Sequence, residues 1–106
     1  MLVDQRQGAR KILRTRAMWL ADGGSPQAAR TLDLGTGGVS IATDYRLDVG
    51  RTGQVVWEML VDGKPQIITV RVKVANCILG SNQFKIGFTF QPLDHDAQNA
   101  INKFMR

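Results

Sequence analysis

The sequence predicts an all-β fold, a small barrel with one C-terminal helix packed on it, and three observations carry that expectation. In Gln66 to Ala75, and again in Phe84 to Phe90, apolar residues alternate with polar ones at a period of two, as in strands with one wet face. Turn clusters separate such runs at Asp22 to Pro26, at Asp62-Gly63 and at Gly80-Ser81-Asn82. After Pro92 the period becomes helical, with Ala97, Ala100, Ile101 and Phe104 at i, i+3, i+4 and i+7. Six or seven short strands closed by a helix argue for a barrel.

Taken in order, Met1 to Lys11 shows no sustained period and reads as an exposed, flexible basic arm whose order depends on a ligand. Ile12 to Ala21 reads as the first strand, with Leu13, Thr15, Ala17 and Trp19 on one face and Arg14 and Arg16 turned outward. Ala28 to Leu34 is a second strand and Val39 to Thr43 a third. Asp44 to Gly53 is polar and reads as a loop with Leu47 and Val49 tucked inward. Gln54 to Val61 pairs across Asp62-Gly63 with Gln66 to Ala75 as a hairpin, in which Ile68, Val70, Val72 and Val74 face the core. Asn76 to Leu79 can extend that strand. Phe84 to Phe90 is the last strand, and Asp94 is placed to cap the helix, with Asp96 in its first turn and Lys103 and Arg106 in its last.

At 106 residues, with 43% hydrophobic and 22% charged residues, the chain is expected to be one folded domain spanning 1–106. No apolar run is long enough to span a bilayer, and Met1 to Arg10 is too polar for a signal peptide, so the cytoplasm is the expected location. Cys77 has no second cysteine to bridge and reads as a small buried hydrophobe. The net charge of +5 is concentrated: Arg6, Arg10, Lys11, Arg14 and Arg16 crowd into eleven residues that hold no acid. Such a field attracts nucleic acid, membrane surfaces, acidic proteins or phosphate-bearing small molecules.

Catalytic groups are scarce. His95, Cys77 and Glu58 are each the only residue of their type, His95 and its flanking aspartates point apart at a helix start, and no nucleophile elbow surrounds Ser40. The sequence reads as no enzyme, with no metal and no cofactor. The richest stretch is Thr31 to Ile41, where Asp33 precedes Gly35, Gly37 and Gly38. It fits neither a dinucleotide fingerprint nor a P-loop, because strand residues and not a helix follow the glycines. Arg6 and Arg10 carry planar forks that match phosphate or the O6/N7 edge of guanine, while Asp33 accepts from N1–H and the amine on the opposite edge. In a straight strand the two arginines would stand roughly 13 Å apart, so convergence needs a turn at Gly8. Spacing alone favours the plainer reading of a solvated arm and a simple hairpin turn. General nucleic-acid binding is disfavoured because the 7% aromatic residues look like core and form no stacking platform.

At these residues the chain resembles the PilZ domain family, whose signature is an R-x-x-x-R arm followed by [DN]-x-S-x-x-G. Here the arm is Arg6-Gln7-Gly8-Ala9-Arg10 and the second element Asp33-Leu34-Gly35-Thr36-Gly37-Gly38; Phe84 to Phe90 and the helix after it are similar to the family's closing elements. The resemblance implies a six-stranded antiparallel barrel that binds cyclic di-GMP, with an effector protein as partner and monomer or dimer both compatible. It also implies that Arg6 and Arg10 contact phosphate and guanine, that Asp33 bonds a guanine, and that Gly38 permits close approach. Gly35 stands where the family has serine, and one lost hydrogen bond costs on the order of 1 to 3 kcal/mol, a roughly five- to over a hundredfold weakening. Thr36 is a candidate to compensate. A motif-degenerate adaptor that has lost the nucleotide and works by protein contact is the alternative.

Overall fold

The computed structural model describes residues 9–106. Seven strands and one helix follow in order: β1 (Arg10–Ile12), β2 (Arg16–Ala21), β3 (Pro26–Gly35), β4 (Gly38–Thr43), β5 (Thr52–Val61), β6 (Lys64–Leu79), β7 (Phe84–Phe90) and α1 (His95–Met105). All pairings are antiparallel. The sheet runs β3-β2-β5-β6-β7-β4 and closes by a β3–β4 pairing, giving a six-stranded barrel with β1 added beside β3. The barrel and closing helix expected from the alternation and the helical period are therefore present.

Two elements differ from the sequence expectation in an informative way. The strand expected over Ile12 to Ala21 is split, and its first piece reaches back to Arg10, inside the stretch assigned to the arm. The break at Leu13–Thr15 comes from Thr31, whose hydroxyl donates to the Leu13 carbonyl and accepts from the Thr15 N–H. Both pieces still lie along one edge of β3, with Arg16 opposite Arg30 and Arg10 opposite Gly35. β3 itself carries a bulge between Thr31 and Asp33. The extra residue shifts the alternation by one, so that Thr31 and Leu34 are both sealed in the core while Asp33 points outward.

The barrel interior is filled by Trp19, Leu34, Val39, Ile41, Trp57, Val72 and Phe88, with Trp19 stacked on Phe88 at 5.2 Å between ring centroids. The hairpin at Asp62-Gly63 turns with both residues at positive φ (53° and 77°), the geometry of a two-residue hairpin turn. Leu47 is buried as expected, but Val49 is 66% exposed, because the loop turns at Gly50 (φ 95°) and carries its neighbour outward. Cys77 is half-buried beside the core rather than sealed in it. Asp94 caps α1 by accepting from the Ala97 N–H at 2.8 Å, and Ala97, Ala100 and Ile101 form the face that packs on β5 and β6. No helix among the described residues is long and apolar enough to cross a membrane.

Candidate ligand-binding site

A cavity of about 900 Å³ opens on the outer face of the barrel beside the β3–β4 turn. Its floor is nearly bare of side chains, because neighbouring strands place Gly35, Gly38, Ser40 and Gly87 side by side. A flat, side-chain-poor floor lets a planar ring lie against the backbone. Arg10 and Asp33 stand on one wall, and Asn76, Ile78 and Lys85 on the other.

The Arg10 guanidinium forks onto one carboxylate oxygen of Asp33, with Nε and Nη2 each 2.7 Å from Oδ1. Nη2 also donates to Ser40 Oγ at 3.3 Å. Both members of the ion pair remain partly open to solvent, at 43% and 25% exposure. An exposed pair of this kind is worth about 0 to 1 kcal/mol, so a ligand can take over either partner at little cost. Register explains the meeting. Arg10 lies opposite Gly35, two residues from Asp33 on the same outer face, and no Cβ at position 35 intervenes.

The three glycines of the stretch serve different ends, and none of them sits at positive φ. A Cβ on Gly35 would stand 3.1 Å from Arg10 Nη1, so glycine lets the guanidinium lie down over β3. A Cβ on Gly38 would stand 2.1 Å from the Phe88 carbonyl oxygen, so glycine is what allows β4 to pair with β7. A Cβ on Gly37 would meet nothing within 4 Å. Arg6 and Gly8, expected to converge on the same ligand, lie outside the described residues. Thr36 lines the cavity from the exposed turn.

The far wall was missed in the sequence. Strict alternation from Val74 would turn Asn76 inward, but a bulge between Val74 and Asn76 puts it opposite Gly87 on the outer face. There its amide lies so close that a Cβ on Gly87 would be 2.7 Å from Oδ1. The signal was Gly87 itself, since a glycine inside an otherwise well-formed strand marks a close approach. Lys85, two residues from Gly87 on the same face and opposite Ile78, adds a second cation to the cavity. Lys11, next to Arg10, reaches the other way and donates to the Phe104 and Arg106 carbonyls at the end of α1, at 3.0 and 2.6 Å. Trp19 and Trp57 are buried in the core and offer no surface on which a nucleic-acid base could stack.

A family model described as the PilZ domain matches residues 4–106. Among solved structures, the chain is similar to the Bacillus subtilis inhibitor of motility (MotI/DgrA), with a TM-score of 0.84 and 12% identity over 97% of this chain and 50% of that one. It is also similar to the PilZ domain of Escherichia coli YcgR with c-di-GMP (TM-score 0.75, 15% identity, 96% and 89% covered). The K. pneumonia MrkH–c-di-GMP complex matches with a TM-score of 0.73 at 20% identity, over 96% of this chain and 51% of that one. The chain thus spans about half the length of the motility inhibitor and of MrkH. No curated protein sequence matches it.

Proposed function

The chain belongs to the PilZ domain family of cyclic di-GMP receptors, regulatory binding domains rather than enzymes, and from that premise we propose that it binds this nucleotide in the cavity beside the β3–β4 turn. The observation that carries the reading is the meeting of Arg10 and Asp33 at 2.7 Å on the rim of a floor made of Gly35, Gly38 and Gly87. Guanidinium takes a phosphate or the O6/N7 edge of guanine, the carboxylate takes N1–H and the amine, and the bare floor receives the ring. Arg6 supplies a second guanidinium from the arm, which orders on the ligand, and Lys85 adds charge for the second phosphate. Relay to an effector protein would run through β1, whose adjacent residues hold the cavity with Arg10 and the helix terminus with Lys11. No cofactor enters this function.

Calorimetric titration with cyclic di-GMP tests it. Wild type is expected to bind with micromolar or better affinity, and Arg10→Ala to lose at least roughly tenfold, the loss expected for a charge-assisted contact. No heat from wild type at high micromolar ligand ends the proposal. Gly35 favours a second reading, in which Arg10 lies permanently on Asp33 and the domain acts as a nucleotide-free adaptor. Co-purification of one effector, unchanged by the nucleotide and by Arg10→Ala, would select that reading.

A further inference from the structure

Three residues of the barrel, Thr31, Ser40 and Thr43, bury a hydroxyl, and two of them use it in the same way. Thr31 donates to the Leu13 carbonyl and Thr43 to the Tyr45 carbonyl, so each serves the backbone of its own neighbourhood. Ser40 differs. It is 7% exposed, sits directly opposite Asp33 on one side and Gly87 on the other, and lines the cavity. Among the described residues its oxygen accepts from Arg10 Nη2, and no acceptor takes its proton.

A hydroxyl that accepts from a guanidinium and still has an O–H to give, at the floor of a cationic cavity, is arranged to donate to an anionic oxygen. We infer that Ser40 is a ligand-contacting residue, whose hydroxyl steadies Arg10 from below and donates to a phosphate oxygen of the bound nucleotide. The inference rests on the nucleotide reading above. Ser40 also answers the gap at position 35. A side chain there would stand against Arg10 Nη1 from the β3 side, whereas Ser40 meets Nη2 of the same guanidinium from the β4 side. The hydroxyl of the site has moved one strand across, and Thr36, out on the turn, is not its replacement.

The test is a double-mutant cycle read by calorimetry with cyclic di-GMP, using wild type, Ser40→Ala, Gly35→Ser and Ser40→Ala/Gly35→Ser. Ser40→Ala is expected to weaken binding roughly tenfold, and the double variant to return to within about threefold of wild type, because a hydroxyl at 35 reaches the same guanidinium. Gly35→Ser alone changes affinity by less than about threefold, since the position is already served. Rescue separates a ligand contact from a packing role, which a serine on another strand could not restore. Ser40→Cys, which keeps the shape of the side chain with a slightly larger atom and weakens the donor, is expected to fold as wild type and to lose affinity like Ser40→Ala. Ser40→Ala or Ser40→Cys binding as wild type does, or a double variant as weak as Ser40→Ala, overturns the inference while leaving the nucleotide reading intact. A silent wild type overturns both.

Discussion

At the scale of single residues, the barrel is pinned at one end by Asp22. Its two carboxylate oxygens take Nη1 and Nη2 of Arg71 at 2.9 Å each, and Thr52 Oγ1 donates to the second at 2.6 Å. The Arg71 hydrogen bonds, then the Thr52 hydroxyl, hold the carboxyl down at about 2 from an ordinary 3.8. Because the folded value lies below the unfolded one, the stabilisation is fully present above about pH 4 and is lost as pH falls toward 2. Thermal melts recorded from pH 5 to pH 2 are expected to fall more steeply for wild type than for Asp22→Asn. Parallel curves for the two proteins would refute that assignment. The Arg10–Asp33 pair is no more open to solvent than Asp22–Arg71 and differs from it in place, since both of its members line the cavity beside the β3–β4 turn.

At the scale of elements, β4 is the strand that the closure of the barrel depends on. All six of its residues are buried, and it joins β3 to β7 with Gly38 opposite Thr89. Gly38→Ala would drive a methyl to 2.1 Å from a backbone oxygen that cannot step aside, which is overpacking at a strand pair and not at a side chain. The expected loss is about 3 kcal/mol or more in urea unfolding, larger than for Gly37→Ala, where the added methyl meets nothing. Equal midpoints for the two variants would refute this. The implied role of Gly38 in ligand approach thus gains a structural one beside it. β1 is the counterpart, a three-residue strand tied to β3 on one side and to the end of α1 by Lys11. Its side chains alternate between the cavity and the helix, so whatever draws on Arg10 acts one residue away from the helix terminus.

At the scale of the whole molecule, nucleotide binding would add stability without adding a contact between strands. A ligand at a hundred times its dissociation constant stabilises the native state by about 2.7 kcal/mol, which for a domain of this size raises the melting temperature by roughly 10 to 20 °C. Differential scanning fluorimetry with saturating cyclic di-GMP is expected to show that shift in wild type and to lose most of it in Arg10→Ala. An unchanged melting temperature in wild type would contradict the proposed site. The rest of the barrel would be unaffected, since its core of Trp19, Trp57, Phe88 and the valines of β6 lies behind the glycine floor.

Alternation of period two in Gln66 to Ala75 and Phe84 to Phe90, the Asp62-Gly63 turn and the i, i+3, i+4 spacing after Pro92 were enough to read the barrel and its helix, because each reports a local preference that burial reinforces. Arg6, Arg10, Asp33, Gly35 and Gly38 stood out as a candidate set only through the resemblance to the PilZ signature, since their spacing alone favours a solvated arm and a simple hairpin turn. The two bulges were decided only in three dimensions. One turns Asp33 toward Arg10 and the other brings Asn76 over Gly87, each by a single extra residue whose placement depends on the partner strand; Gly87 signals a close approach in the sequence but not the residue that makes it. The position of Ser40, facing Asp33 across a strand pair and reaching a guanidinium thirty residues away in sequence, is likewise a consequence of register and closure.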